Sequence, residues 1–226
     1  VDITILGTGP NSNIEAQVDP SYQALRVNLR PTEWQSNGGS LQGGHYAVML
    51  TSGAIAGSIS ANANLFSVRW ANNQKFLILK KLNAILMPTA VSSPTMTSLQ
   101  ICRATFTQNP SGTGSTTASQ VEKCRTLMAV SDFVGGNSTL VMAGTAALST
   151  NAPTVDSNGF GFINGYAATA NQTFVTGDLY KEDAMAEHPF IFGNGEGFVV
   201  TTPSGWAASN SQQLWIVMKW IEVPSY

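Results

Sequence analysis

From residue 44 onward one pattern repeats: a short apolar run, then a cluster of Gly, Asn, Pro or Ser. This punctuation constrains the fold more than any other feature of the sequence. The runs fall at 45–50, 54–59, 65–70, 76–86, 99–106, 121–130, 139–142, 160–163, 190–192, 198–201 and 214–223. Between them stand Asn72-Asn73, the stretch 88–94, the stretch 109–114 and Gly135-Gly136-Asn137. Gly and Asn tolerate the positive φ of tight reversals, and Pro withholds a backbone donor, so such clusters end strands. Many short strands at this spacing, with few helical periods, predict an all-β chain built as a β-sandwich or jelly-roll-like body. At 226 residues the chain suits one large all-β domain.

Individual segments refine the picture. Phe190-Ile191-Phe192, then Gly193-Asn194-Gly195-Glu196-Gly197, then Phe198-Val199-Val200 reads as a β-hairpin. Residues 214–223 carry apolar side chains on both alternating faces, which suits a strand covered on both sides, between two sheets or against a neighbouring subunit. Residues 76–87 mix helix formers with β-branched residues and stop at Pro88; we read them as a strand. Residues 178–187 are better helix material, with Asp178 placed to cap, Glu182 and Asp183 early and Pro189 beyond the end.

The first forty-three residues differ. A short strand at 1–6 gives way to the turn formers of 7–13. Residues 14–31 then combine Tyr22, Leu25, Val27 and Leu29 with Arg26 and Arg30, and Trp34 precedes a second flexible stretch at 36–44. An apolar and basic segment between two glycine-rich spacers cannot easily build its own core. We therefore expect an arm or pair of edge strands laid on another surface over 1–43, or equally a meandering first strand pair of the main domain, and a single sandwich domain over 44–226.

Charge sets the function classes. Charged residues make up 11% of the chain, against roughly 25% in ordinary soluble domains. Neutral polar side chains replace them, so little electrostatic repulsion keeps copies apart. This favours a protein whose surface is largely covered in an assembly. The net charge is −2, and Lys80-Lys81 is the one adjacent basic pair. A nucleic-acid partner is not expected, since phosphate binding calls for clustered Lys and Arg. Neither a membrane partner nor a signal peptide is expected, because no apolar run reaches the roughly 18 residues a span needs and the amino-terminal residues lack the leader pattern. Cys102 and Cys124 are too few for a disulfide framework and read as reduced thiols.

Catalytic chemistry finds little to attach to. The two histidines, His45 and His188, lie in no His-Glu-x-x-His arrangement. No nucleophile elbow or phosphate loop occurs, and Gly7-Thr8-Gly9 lacks the third glycine of a dinucleotide site. Glu187, His188 and Glu196 could converge, and Glu182, Asp183 and Glu187 could meet a cation, but a helix end and a solvated face explain both sets. We expect neither catalytic residue, metal nor cofactor. The five tryptophans suit core and interface packing, with Trp206, in the loop 203–210, left as a possible ligand contact.

Three segments stand in the order found in some tailed-phage virion proteins. They are Ala16-Gln17-Val18-Asp19 through Tyr22-Gln23-Ala24-Leu25-Arg26-Val27, Phe66-Ser67-Val68-Arg69-Trp70, and His188-Pro189-Phe190 with Asn194 and Glu196 to Val200. A terminal strand like Met218 to Val223 closes those chains as well, and about half of this chain is involved; Gly195, between Asn194 and Glu196, departs from the pattern. The chain thus resembles a minor virion protein of the capsid decoration or cement type. That resemblance implies an all-β body with an N-terminal arm, assembled as dimers or trimers on a particle. The expected partners are other virion proteins, the major capsid protein first, and the expected location is the virion. Assembly contacts are expected at Tyr22, Leu25, Arg26, Arg30 and Trp34. The competing expectation is a receptor- or carbohydrate-binding tail or fibre module.

Overall fold

The computed structural model describes residues 16–19, 24–27, 44–92, 94–124, 129–167, 175–182, 189–208 and 210–223. The fold is all-β, with two antiparallel sheets facing each other. The first sheet runs β10 (Thr154–Ala167), β6 (Thr95–Thr105), β13 (Glu196–Thr202), β4 (Ala63–Arg69), β9 (Thr139–Met142), β7 (Thr116–Thr117). The second runs β11 (Val175–Lys181), β5 (Phe76–Ala90), β14 (Ser211–Val223), β3 (Gly44–Thr51), β8 (Glu122–Lys123), with β12 (Ile191–Phe192) also on β5. A short helix, α1 (Asp132–Gly135), begins at Ser131, whose hydroxyl accepts from the Phe133 N–H. Separately, β1 (Ala16–Asp19) and β2 (Ala24–Val27) form a two-stranded antiparallel sheet.

The core lies between the sheets and follows the alternation of side chains along each strand. Leu214, Ile216, Met218 and Trp220 of β14 point inward with Tyr46 and Val48 of β3, and meet Phe66, Val68, Leu99, Ile101, Phe198 and Val200 of the facing sheet. On β5 the inward set changes phase, from Leu77 and Leu79 to Leu82, Ala84 and Leu86. Register explains the change: Trp220 pairs with Leu79 while Lys219 pairs with Lys81, so Lys80 is the extra residue of a bulge. Trp70, Phe133 and Trp220 stack edge to face at one end of the core, with centroids 5.5 and 5.2 Å apart.

The strand expected over 76–87 forms, and it continues through Pro88 to Ala90. Pro88 is tolerated because, among the described residues, β11 reaches only to Leu86 on one side, and a register irregularity faces it on the other. Several expectations are corrected. Residues 54–59 make one bridge, Ile55 to Gln212, rather than a strand. Within that segment Gly57 packs against the carbonyls of Ala207 and Ala208, and Ser58 has a φ of 61°. Of residues 121–130, Glu122–Lys123 is strand, while 125–128 lie outside the described residues. The helix expected from Asp178 is overridden at its start, because residues 178–181 belong to β11 and pair with β5; residues 183–188 lie outside the described residues. The reversal after Phe192 forms, but its two strands part company. β12 joins β5 in one sheet, and β13 pairs with β4 and β6 in the other, so the turn is a crossover between sheets. Apolar residues on both sides of an Asn-Gly turn fit either arrangement.

Candidate functional site

Three regions of the body could carry function: the outer face of each sheet and a buried ionic centre. On the second sheet, outward side chains from β5, β14 and β3 lie side by side. Trp215 pairs with Ile85 and Thr51, and Val217 pairs with Met49 and Asn83. Met49 is 64% exposed, and Ile85, Met87, Trp215 and Val217 are partly exposed. Trp215 and Val217 thus face outward from a strand whose opposite face is fully buried. On the first sheet, β10 sends Phe162, Asn164 and Tyr166 outward while Gly161, Ile163 and Gly165 face in. Phe162 and Tyr166 are 55% and 53% exposed, and Tyr166 pairs with Met96, itself 57% exposed. At a strand rise of about 3.3 Å the two rings stand roughly 13 Å apart, with Asn164 between them and Gln100 opposite Phe162.

Among the described residues the strand borders are short or partly covered. On one side both sheets end in two-residue strands, β7 and β8. On the other, β10 and β11 lie against each other through glycine. A Cβ on Gly161 would collide with the Leu179 carbonyl, and one on Gly165 would crowd Val175. Short or covered edges resist strand addition, which leaves the outer faces as the available surfaces.

The third region is buried. Glu222 is fully enclosed, and its Oε1 accepts from Ser131 Oγ at 2.6 Å, Trp220 Nε1 at 3.2 Å and the Asp132 N–H at 3.2 Å. Lys75 Nζ lies 3.9 Å from Oε2. Burial pushes the Glu222 carboxyl above the ordinary glutamate value, opposed by the Ser131, Trp220 and Asp132 hydrogen bonds and by Lys75. Tyr46 is also pushed up, by burial and then by the Glu222 charge.

The residues singled out from sequence fare unevenly. Leu25 and Arg26 lie on β2, opposite Val18 and Gln17. Tyr22, Arg30 and Trp34 lie outside the described residues, as do Asp183, Glu187 and His188. Trp206 is corrected as an open ligand contact: it is 4% exposed and joins the main core, with its N–H donating to the Ile59 carbonyl at 2.9 Å. Its Nε1 has no partner among the described residues. Glu196 is the turn's own clasp, its Oε2 accepting from the Gly193 N–H at 2.7 Å. Glu182 pairs with Lys80, and Asp178 with Lys81. Cys102 is buried, Cys124 is exposed, and both are free thiols. No group of three or more His, Cys, Asp or Glu stands together as a metal site among the described residues.

The burial of Glu222 has a signal in the sequence, since the even-numbered core phase of Leu214 to Trp220 runs on to residue 222. Phe162 and Tyr166 sit four apart in a glycine-rich run, and only strand alternation shows them sharing a face. Comparisons of the chain with protein-family models, curated proteins and solved structures returned no match.

Proposed function

We propose that the protein is a structural component of a tailed-bacteriophage particle, a decoration or cement protein that bridges neighbouring capsid subunits and acts by docking rather than by catalysis. The observation that carries this reading is the pairing of short or partly covered strand borders with large apolar side chains on both outer faces, Met49 on one and Met96, Phe162 and Tyr166 on the other. Two such faces on one body suit a bridge between two neighbours. On the first sheet the neighbours of the rings, Asn164 and Gln100, are neutral, so burying that face desolvates few ions, whereas the outward row of the second sheet runs on to Lys219 beside Lys81. Many weak copies acting together then give strong overall attachment. The test is sedimentation velocity of the full chain, followed by co-sedimentation with undecorated capsids of a tailed phage. A dimer or trimer that pellets with capsids, and loses this in a Phe162→Lys/Tyr166→Lys variant, supports the reading; a monomer that leaves capsids bare overturns it.

The alternative, a receptor- or carbohydrate-binding module of a tail or fibre, is favoured by one specific feature, although Trp206 no longer supports it. Two exposed rings on one strand with amide side chains between and beside them match how neutral sugars are held, by stacking and by amide hydrogen bonds. A glycan array probed with wild type and with Phe162→Ala decides it. Binding lost in the variant favours this reading, and an array without signal removes it.

A further inference from the structure

We propose that Lys75 and Glu222 condense into an intramolecular amide, an isopeptide cross-link that ties the entrance of β5 to the end of β14. The two residues are diagonal neighbours on the core face. Glu222 pairs with Leu77, and Lys75 stands two residues before Leu77, in the same alternating phase. Both are buried, at 0% and 6% exposure, with Nζ 3.9 Å from Oε2. Trp70 Nε1 donates to the Lys75 carbonyl at 2.7 Å and so fixes the lysine backbone. Trp70, Phe133, Trp220 and Tyr46 form a continuous run of ring contacts at this end of the core.

This geometry supplies what amide formation needs. A lysine ammonium and a carboxylate so enclosed are poorly solvated, and a proton passing from Nζ to Oε2 relieves both charges. Burial already favours the protonated acid at Glu222. The neutral amine then attacks Cδ, forming the Nζ–Cδ bond. The negative charge that builds on Oε1 falls where Ser131 Oγ and Trp220 Nε1 already donate, with the Asp132 N–H shared at 3.2 Å between Oε1 and Oε2, an arrangement that resembles an oxyanion hole. The nitrogen gives up one proton to the Oε2 hydroxyl, the Cδ–Oε2 bond breaks, and Oε2 leaves as water. Two charged groups and no co-reactant become one neutral amide and one water. Holding the partners in place replaces the encounter that makes the same condensation slow in solution. The product joins the central strand of the second sheet, β14, to the start of its neighbour β5, closes a long loop of chain and restricts the unfolded state.

Intact-mass spectrometry of the denatured full chain tests the proposal. Wild type is expected to weigh one water less than its sequence, and its digest to contain a branched peptide joining the segments around Lys75 and Glu222. Lys75→Met is expected at full sequence mass with no branched peptide. A wild-type chain at full mass overturns the proposal, and so does a water loss that persists in Lys75→Met. Should Lys75→Met fail to fold, the wild-type mass and branched peptide still decide.

Discussion

At the residue scale, Gly195 shows how one backbone angle organises the crossing between sheets. It has a φ of +81°, at the third position of a turn closed by the Glu196 N–H on the Gly193 carbonyl at 3.0 Å. That combination is a type II turn, which calls for glycine there. The same residue's N–H donates to the Trp70 carbonyl and its carbonyl accepts from the Phe106 N–H, both at 2.8 Å. Gly195→Ala is therefore expected to cost about 1–2 kcal/mol, the left-handed penalty of a side chain, seen as a lower denaturation midpoint with an unchanged slope. Phe133→Ala empties the centre of the aromatic stack at the end of the core and is expected to cost about 3–5 kcal/mol in the same assay. His45 gives a pH dependence. Burial, and then the nearby Lys80 charge, lower its pKa from 6.5. The unfolded chain thus takes up the proton first on acidification. Stability attributable to His45 is complete above pH 6.5 and is lost as the pH falls toward the folded-state value. Replacing His45 with Asn is expected to flatten that limb of the stability–pH curve.

At the element scale, the corner between β10 and β11 depends on missing side chains. Gly161→Val is expected to force β10 off the Leu179 carbonyl, lower the melting temperature and uncover a long strand edge that promotes aggregation on heating, followed by light scattering. How much of this was legible in the sequence varies with the element. Strand alternation exposed β14, and Thr139 to Met142 stood out between clear breakers, because burial on a defined face leaves a period-two signature. The phase change on β5 was also written in the order Leu77, Leu79, then Leu82, Ala84, Leu86, but a bulge is recognisable only once a partner strand gives the register. Residues 178–181 read as helical because Asp178 and Glu182 suit a helix start, whereas pairing with Lys81, Leu82 and Asn83 decides the outcome. The sheet change after Phe192 left no local trace, since the same turn residues serve a hairpin and a crossover. The outward aromatics of β10 stayed hidden for a related reason: glycine erases the alternation on the inward face.

At the scale of the whole molecule, the surface chemistry predicts how association responds to solvent. If the proposed docking uses the exposed Met49, Met96, Phe162 and Tyr166, it rests on apolar burial, and sedimentation is expected to show association that persists or strengthens as salt is raised. A steep loss with salt would point instead to charge pairs. A Met49→Lys/Val217→Lys variant, aimed at the outward row of the second sheet, is expected to weaken that association without altering the fold measured by circular dichroism.

The two-residue border strands and the glycine-sealed corner also govern what kind of order copies can build. Open sheets lengthen by adding strand upon strand, and nothing intrinsic tells such a ribbon where to stop. A body whose margins are short or covered resists that route, so on the proposed function its copies would meet through patches of fixed size and direction. Under that proposal, growth would be set by the geometry of the surface being covered, and the layer would end when that surface is full.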